Sequence, residues 1–161
     1  MATIISRGND VETTGNLPIV GSKAPNFRLT GQDLRDFSLE DFKGKRIVLN
    51  IFPSIDTSTC ASSVRKFNEL AASMENTEVI CVSKDLPFAC KRFCGAEGIS
   101  NVITGSQYKD NSFSEGYQVD MISGTALSGL MSRAVVVVDA DGIVEYTEQV
   151  GDISDEPNYL V

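Results

Sequence analysis

The chain has 161 residues, enough for one domain with a usable core, and 42% of them are hydrophobic, as in an ordinary soluble globule. A formal charge of -8 with no lysine/arginine run argues against nucleic acid or an anionic membrane as a partner. Met1 to Asn16 lack a signal-peptide pattern, no run approaches a membrane span, and four cysteines are too few for a disulfide scaffold; thiol chemistry in the cytoplasm, rather than the periplasm, is the expected setting.

Thr3-Ile-Ile-Ser6 and Val11-Glu-Thr-Thr14 flank the turn-prone Arg7-Gly-Asn-Asp10, which predicts a β-hairpin over about residues 3–14. Asn16 to Ala24 is a Gly/Pro-marked connector, and Phe27–Thr30 and Asp36–Ser38 are short strand candidates around Gly31-Gln-Asp33. Ser38-Leu-Glu-Asp41 resembles a capping box opening a single helical turn that Gly44 ends.

Ile47 to Phe52 is a nearly continuous apolar run, the pattern of a buried strand, and Pro53 stops it because proline cannot donate to a ladder. Asp56, Thr57, Ser58 and Thr59 suit the open N–H groups of a helix start. Beyond them Cys60, Val64, Phe67, Ala71 and Met74 recur at helical spacing, with Ser62, Ser63, Arg65, Lys66 and Glu69 on the opposite face. Cys60 therefore falls in the first turn of a helix, on its inward side, just past a strand end. A helix N-terminus favours an anion, and a free cysteine, with a pKa of roughly 8.5, can become one there. Cys60 as a small buried hydrophobe is the competing reading.

Glu78–Ser83 predicts another buried strand, and Asp85 is expected to cap a short helix with Pro87 in its first turn and Gly95 and Gly98 at its end. Asn101–Thr104 reads as a strand, Ser112–Tyr117 as a helical turn and Ala126–Met131 as a loop. Ala134–Asp139 and Ile143–Gln149, joined by Ala140-Asp-Gly142, form a hairpin. With no repeats, low-complexity segment or linker, residues 1–161 are expected to form a single domain of α/β class, a mixed sheet covered on both faces.

Arg133 stands directly before a buried strand, where a charge needs a partner unless it is exposed at the strand edge. Cys81, mid-strand, reads as inert core. Cys90 and Cys94 lie one helical turn apart, half of a possible metal site with no second pair to complete it. The absence of histidine excludes a Cys–His hydrolase and most zinc-enzyme sites, and no metal or organic cofactor is expected.

Pro53-x-x-x-Thr57-x-x-Cys60 resembles the active-site motif of the peroxiredoxins, and the run from Pro53 to Asn68 resembles their bacterial thiol peroxidase branch. Asp85-Leu-Pro-Phe-Ala-Cys-Lys-Arg-Phe-Cys94-Gly-Ala-Glu-Gly98 and Arg133-Ala-Val-Val-Val-Val-Asp139 are similar to two further segments of that branch, and the likeness runs from about Gly15 to Tyr159. Members usually carry a last helix after the segment matching Glu156-Pro-Asn-Tyr159, whereas this sequence stops at Val161.

The resemblance implies a thioredoxin-like fold with an added N-terminal hairpin. It implies that Cys60 is the peroxidatic nucleophile and Cys94 the resolving thiol, which together form an intrachain disulfide. Thr57 would bond the sulfur or a bound oxygen, Pro53 would shield the sulfur, and Arg133 would hold the thiolate and polarise the peroxide. Hydrogen peroxide or an organic hydroperoxide would be the substrate, thioredoxin the reductant, and a homodimer the assembly. A thioredoxin-like disulfide exchanger would normally show Cys-x-x-Cys, which is absent here. A peroxide-sensing relay would use the same cysteines, and that alternative stays open.

Overall fold

The computed structural model describes residues 2–6, 8–123 and 125–159. Its centre is a seven-stranded sheet in the order β10-β9-β5-β6-β7-β3-β4. Those strands are β3 (Arg28–Thr30), β4 (Asp36–Ser38), β5 (Arg46–Ile51), β6 (Thr77–Ser83), β7 (Ile103–Ser106), β9 (Ala134–Val138) and β10 (Val144–Gln149). β5, β6 and β7 run parallel, and β9 lies antiparallel to β5 with Ala134 opposite Ile51. The helices are α1 (Ser58–Ala71), α2 (Pro87–Glu97) and α3 (Ser112–Tyr117). A smaller sheet, β1-β2-β8, joins β1 (Thr3–Ser6), β2 (Asn9–Thr13) and β8 (Met121–Ser123). No described helix is long and apolar enough to cross a membrane.

Alternation along β5 divides the core. Ile47, Leu49 and Ile51 pack to one side with Ile80, Val82, Val136, Phe113 and Tyr117. Val48 packs to the other side with Val79, Cys81 and Val135, and there it meets Cys60, Val64 and Phe67 of α1. The sheet is thus mixed and covered on both faces, as its continuous apolar strands predict.

The local expectations hold where neighbouring residues decide the outcome. The first hairpin forms, although its turn residue Arg7 lies outside the described residues. Ser38 donates its N–H to the Asp41 carboxylate at 2.8 Å, opening a 3-10 turn over Leu39–Phe42. α3 and the β9–β10 hairpin fall where expected.

Four expectations are corrected. β7 starts at Ile103 rather than 101, because pairing with β6 sets its register from Ile80 opposite Ile103 to Ser83 opposite Ser106. Gly105 within it admits the close approach of β3, since a Cβ there would stand 2.8 Å from Leu29 Cδ1. β8 was not foreseen: only Met121 of its three residues is buried, so the sequence carries no alternation to reveal it. Gly95 lies inside α2, and Gly98 alone closes it, in the left-handed region at φ 66°. Ser63, expected on the outer face of α1, is fully buried.

Candidate active site

The parallel strands β5 and β6 end side by side, and the antiparallel β9 begins beside them. Register therefore gathers the segments after Ile51, after Ser83 and before Ala134 at one edge of the sheet. Phe52 extends the ladder by one bond, donating its N–H to Val82 O at 3.1 Å, and Pro53, which is buried, ends it.

The turn into α1 is held by Asp85, which does not cap α2 as the sequence suggests. Its carboxylate accepts from the Ile55 N–H (2.7 Å), the Ser54 hydroxyl (2.8 Å) and the Ser83 hydroxyl (2.7 Å). The N-cap of α2 is Leu86, and Pro87 supplies the preset first turn. A carboxylate accepting several donors is worth more than one cap bond, and tertiary folding supplies the donors. Arg92 of α2 also reaches the Asp56 carboxylate at 3.5 Å from its exposed face.

Thr57 is the N-cap residue of α1 but makes no side-chain cap bond. Its hydroxyl donates to Ser54 O at 3.0 Å, tightening the turn. Cys60 is the third residue of the helix and has no exposed surface. Ser63 donates its hydroxyl to Cys60 O at 2.8 Å and accepts from Asn50 Nδ2 of β5 at 3.3 Å. That polar link under α1 explains why Ser63 faces inward.

Arg133 is 2% exposed, so it is no strand-edge arginine. Its Nη2 donates to Cys60 Sγ at 3.2 Å and its Nε to Ile153 O at 3.1 Å, while its buried Nη1 has no partner among the described residues. Beside this centre Thr59 donates its hydroxyl to Ser154 O at 3.2 Å, so residues 153 and 154 are tied both to α1 and to Arg133. A buried guanidinium is costly without a compensating charge, and the Cys60 sulfur is the ionisable group to which Arg133 donates a hydrogen bond among the described residues.

The other three thiols have no such partner. All four cysteines are free and buried. Burial pushes the Cys81 thiol up to about 12, against the Asn50 side chain, which favours the thiolate. Burial also pushes the Cys90 thiol up to about 12, with the charge of Asp85 adding and the Thr104 hydroxyl opposing. Burial raises Cys94 too, and the Gln32 side chain opposes it. Cys90 and Cys94 share the buried face of α2, as their spacing predicts. Among the described residues no group of three or more His, Cys, Asp or Glu side chains could hold a metal ion.

A cleft of about 960 Å3 lies by Lys45, Ile47 and Val138, at the opposite end of β5, and none of the site residues lines it.

Asp85, Asn50, Ser63 and Gln32 are the residues that sequence reasoning passed over or misassigned. Only Asp85 left a signal, an acid at a strand's carboxyl end.

The sequence pattern of the Redoxin family matches residues 19–160. The chain belongs to the redoxin family. This redoxin is 57% identical over 159 residues to the thiol peroxidase of Mycobacterium tuberculosis, spanning 99% of this chain and 94% of that protein. It is 51% identical to the thiol peroxidase of Corynebacterium glutamicum, over 99% of this chain and 95% of that one. Among solved structures it superposes on a peroxiredoxin-like protein from Aquifex aeolicus with a TM-score of 0.91 at 38% identity, covering 98% of this chain and 91% of that one. The redoxin is thus a thiol peroxidase, an oxidoreductase of the peroxiredoxin type, on the thioredoxin-like fold that its motifs imply.

Proposed function

We propose that Cys60 is the peroxidatic nucleophile of this thiol peroxidase and Cys94 its resolving thiol. Hydrogen peroxide and organic hydroperoxides are the substrates, thioredoxin the reductant and antioxidant defence in the cytoplasm the role, with the whole chain acting as one domain in a homodimer. The observation that carries this reading is the Arg133 guanidinium, with one nitrogen 3.2 Å from Cys60 Sγ and another buried and without a hydrogen-bond partner among the described residues. The first stabilises an anionic sulfur, and the second is a spare donor for a peroxide oxygen.

The Cys60 thiolate attacks the terminal peroxide oxygen. The S–O bond forms as the O–O bond breaks, and water or an alcohol leaves after taking a proton. Pro53, buried at the strand end, keeps solvent from the sulfur. Thr57 shapes the turn through Ser54 O, and its oxygen retains lone pairs for the peroxide proton. Cys94 thiolate then attacks the sulfenic sulfur, an S–S bond replaces the S–O bond, and hydroxide leaves as water. Both thiols start buried and unbonded, so α1 or α2 must open locally for this step. A reduced dithiol, thioredoxin, returns both thiols.

The test is multiple-turnover oxidation of a thioredoxin system by the wild-type chain, with hydrogen peroxide and an alkyl hydroperoxide compared. Many equivalents consumed per protein support the cycle. Consumption of about one equivalent would overturn it in favour of a peroxide-sensing relay on the same cysteines.

A further inference from the structure

The smaller sheet lies outside the chemistry, yet it is joined to the active site. Its strands hold neither cysteine nor arginine, and β1 is one of its two outer strands. The outer edge of β1 is covered by the segment that follows β10. Ile5 donates its N–H to Gly151 O at 2.7 Å and accepts from the Ile153 N–H at 2.8 Å, and it bridges in parallel to Asp152. The Ile153 side chain closes the same joint, packing with Ile4, Val11 and Met121 of the smaller sheet.

The same segment wraps Arg133. Gln149 Nε2 and the Val150 N–H each donate to Arg133 O at 3.0 Å, and Ile153 O accepts from Arg133 Nε at 3.1 Å. Next to it Ser154 O accepts from the Thr59 hydroxyl of α1 at 3.2 Å. Ile153 thus links two regions. Its N–H and side chain are held by the hairpin, and its oxygen holds the guanidinium whose Nη2 meets Cys60 Sγ at 3.2 Å.

We infer that the N-terminal hairpin is a positioning element for peroxide reduction: through the backbone of Ile5, β1 fixes Ile153 so that its carbonyl aims the Arg133 guanidinium at Cys60. This rests on the reading of Cys60 as nucleophile and Arg133 as its cation. The physical reason is the shape of arginine. A guanidinium is a rigid planar fork, so holding Nε sets the directions of both terminal nitrogens. Nη2 serves the sulfur, and Nη1 is the buried donor without a partner among the described residues. Without its anchor the fork turns about the last side-chain bonds, and a donor displaced by about 1 Å costs rate steeply.

The experiment follows sulfenic acid formation at Cys60 by rapid mixing of the reduced full chain with stoichiometric hydrogen peroxide. Ile5→Pro deletes the N–H that Gly151 O accepts. The Ile5 side chain is exposed and β1 is an outer strand, where proline is best tolerated. Oxidation should slow about tenfold. Ile5→Val keeps both backbone bonds and should stay within about twofold of wild type. Ile153→Ala keeps the backbone bonds and loosens only the packing on the hairpin, so a slowing of about threefold is expected.

Each variant is also combined with Arg133→Met, which leaves Ile153 O nothing to aim. In that background neither Ile5→Pro nor Ile153→Ala should slow oxidation further. A merely structural role, loosening the whole centre, would slow both backgrounds by the same factor. Ile5→Pro decides if it folds, and Ile153→Ala decides otherwise. A wild-type rate in the deciding variant, or equal slowing with and without Arg133, would overturn the role of the hairpin. Peroxide consumption retained in Cys60→Ser would instead overturn Cys60 as nucleophile, and the inference with it.

Discussion

Cys60 and Cys94 are both buried thiols on helices packed against the central sheet, yet they have been given opposite surroundings. Cys60 has a guanidinium at 3.2 Å, itself buried and without a carboxylate partner among the described residues. Within the described residues, Cys94 has no guanidinium among its hydrogen-bond partners, and burial raises its thiol. The difference teaches that helix position and burial do not make a thiol reactive, since burial disfavours the anion wherever no cation answers it. The fold places its buried cation at one cysteine only. On the proposed reading, that contact selects the first thiol to react with peroxide.

The sharpest way to break this contrast is to remove the favoured thiol. Cys60→Ser should abolish peroxide consumption while preserving the fold, because serine offers no accessible anion near neutral pH. More than trace turnover in a thioredoxin-coupled assay would refute Cys60 as the nucleophile.

Next comes the pair on α2. Cys94→Ser should stop thioredoxin-coupled turnover while leaving the first oxidation intact, so that sulfinic acid builds up at Cys60. Cys90→Ser should be near-neutral. Peptide mapping of the peroxide-treated wild type should find Cys60 joined to Cys94. A predominant Cys60–Cys90 peptide would exchange the roles of the two thiols.

Arg133→Met tests the cation itself. It removes both the contact to sulfur and the buried donor that has no partner among the described residues, and oxidation of Cys60 should slow by about 100-fold or more. Rapid-mixing measurement of sulfenic acid formation decides this, and a rate within a few-fold of wild type would put Arg133 outside the chemistry.

The smallest effect is expected at Asp85, which holds the turn on the Cys60 side. Asp85→Asn keeps the size but cannot accept on both positions, so at least one of the bonds from Ile55, Ser54 and Ser83 is lost. Stability should fall by about 1–3 kcal/mol in urea denaturation, with a several-fold slower oxidation of Cys60. Unchanged values for both would show that the turn does not depend on this carboxylate.

What was legible was what neighbours in the chain decide. The apolar run at Ile47–Phe52, the stop at Pro53 and the helical spacing from Cys60 marked strand, turn and helix, although α1 ends at Ala71 and leaves Met74 of the expected face beyond it. The β9–β10 hairpin was equally plain from its apolar runs around Asp141-Gly142. Ser63 misled because serine types as surface, whereas a buried Asn50 on β5 gives its hydroxyl a partner. Asp85 misled because an acid ahead of Pro87 fits a cap, and the three donors that claim it come from two other segments.

The sequence by itself determined a thiol in the first turn of a helix after a buried strand, two more thiols one turn apart, and a chain without histidine. Those are matters of residue type and short-range period, which backbone geometry converts directly into position. Only the tertiary structure decided which thiol meets a charge. Cys60 and Arg133 are 73 residues apart, and they touch because β9 pairs antiparallel with β5 and sets Ala134 opposite Ile51. Gln32 reaches Thr104 across 72 residues because β3 pairs with β7. Strand register is settled by burying whole faces of a sheet at once, a collective outcome that no local window of residues contains.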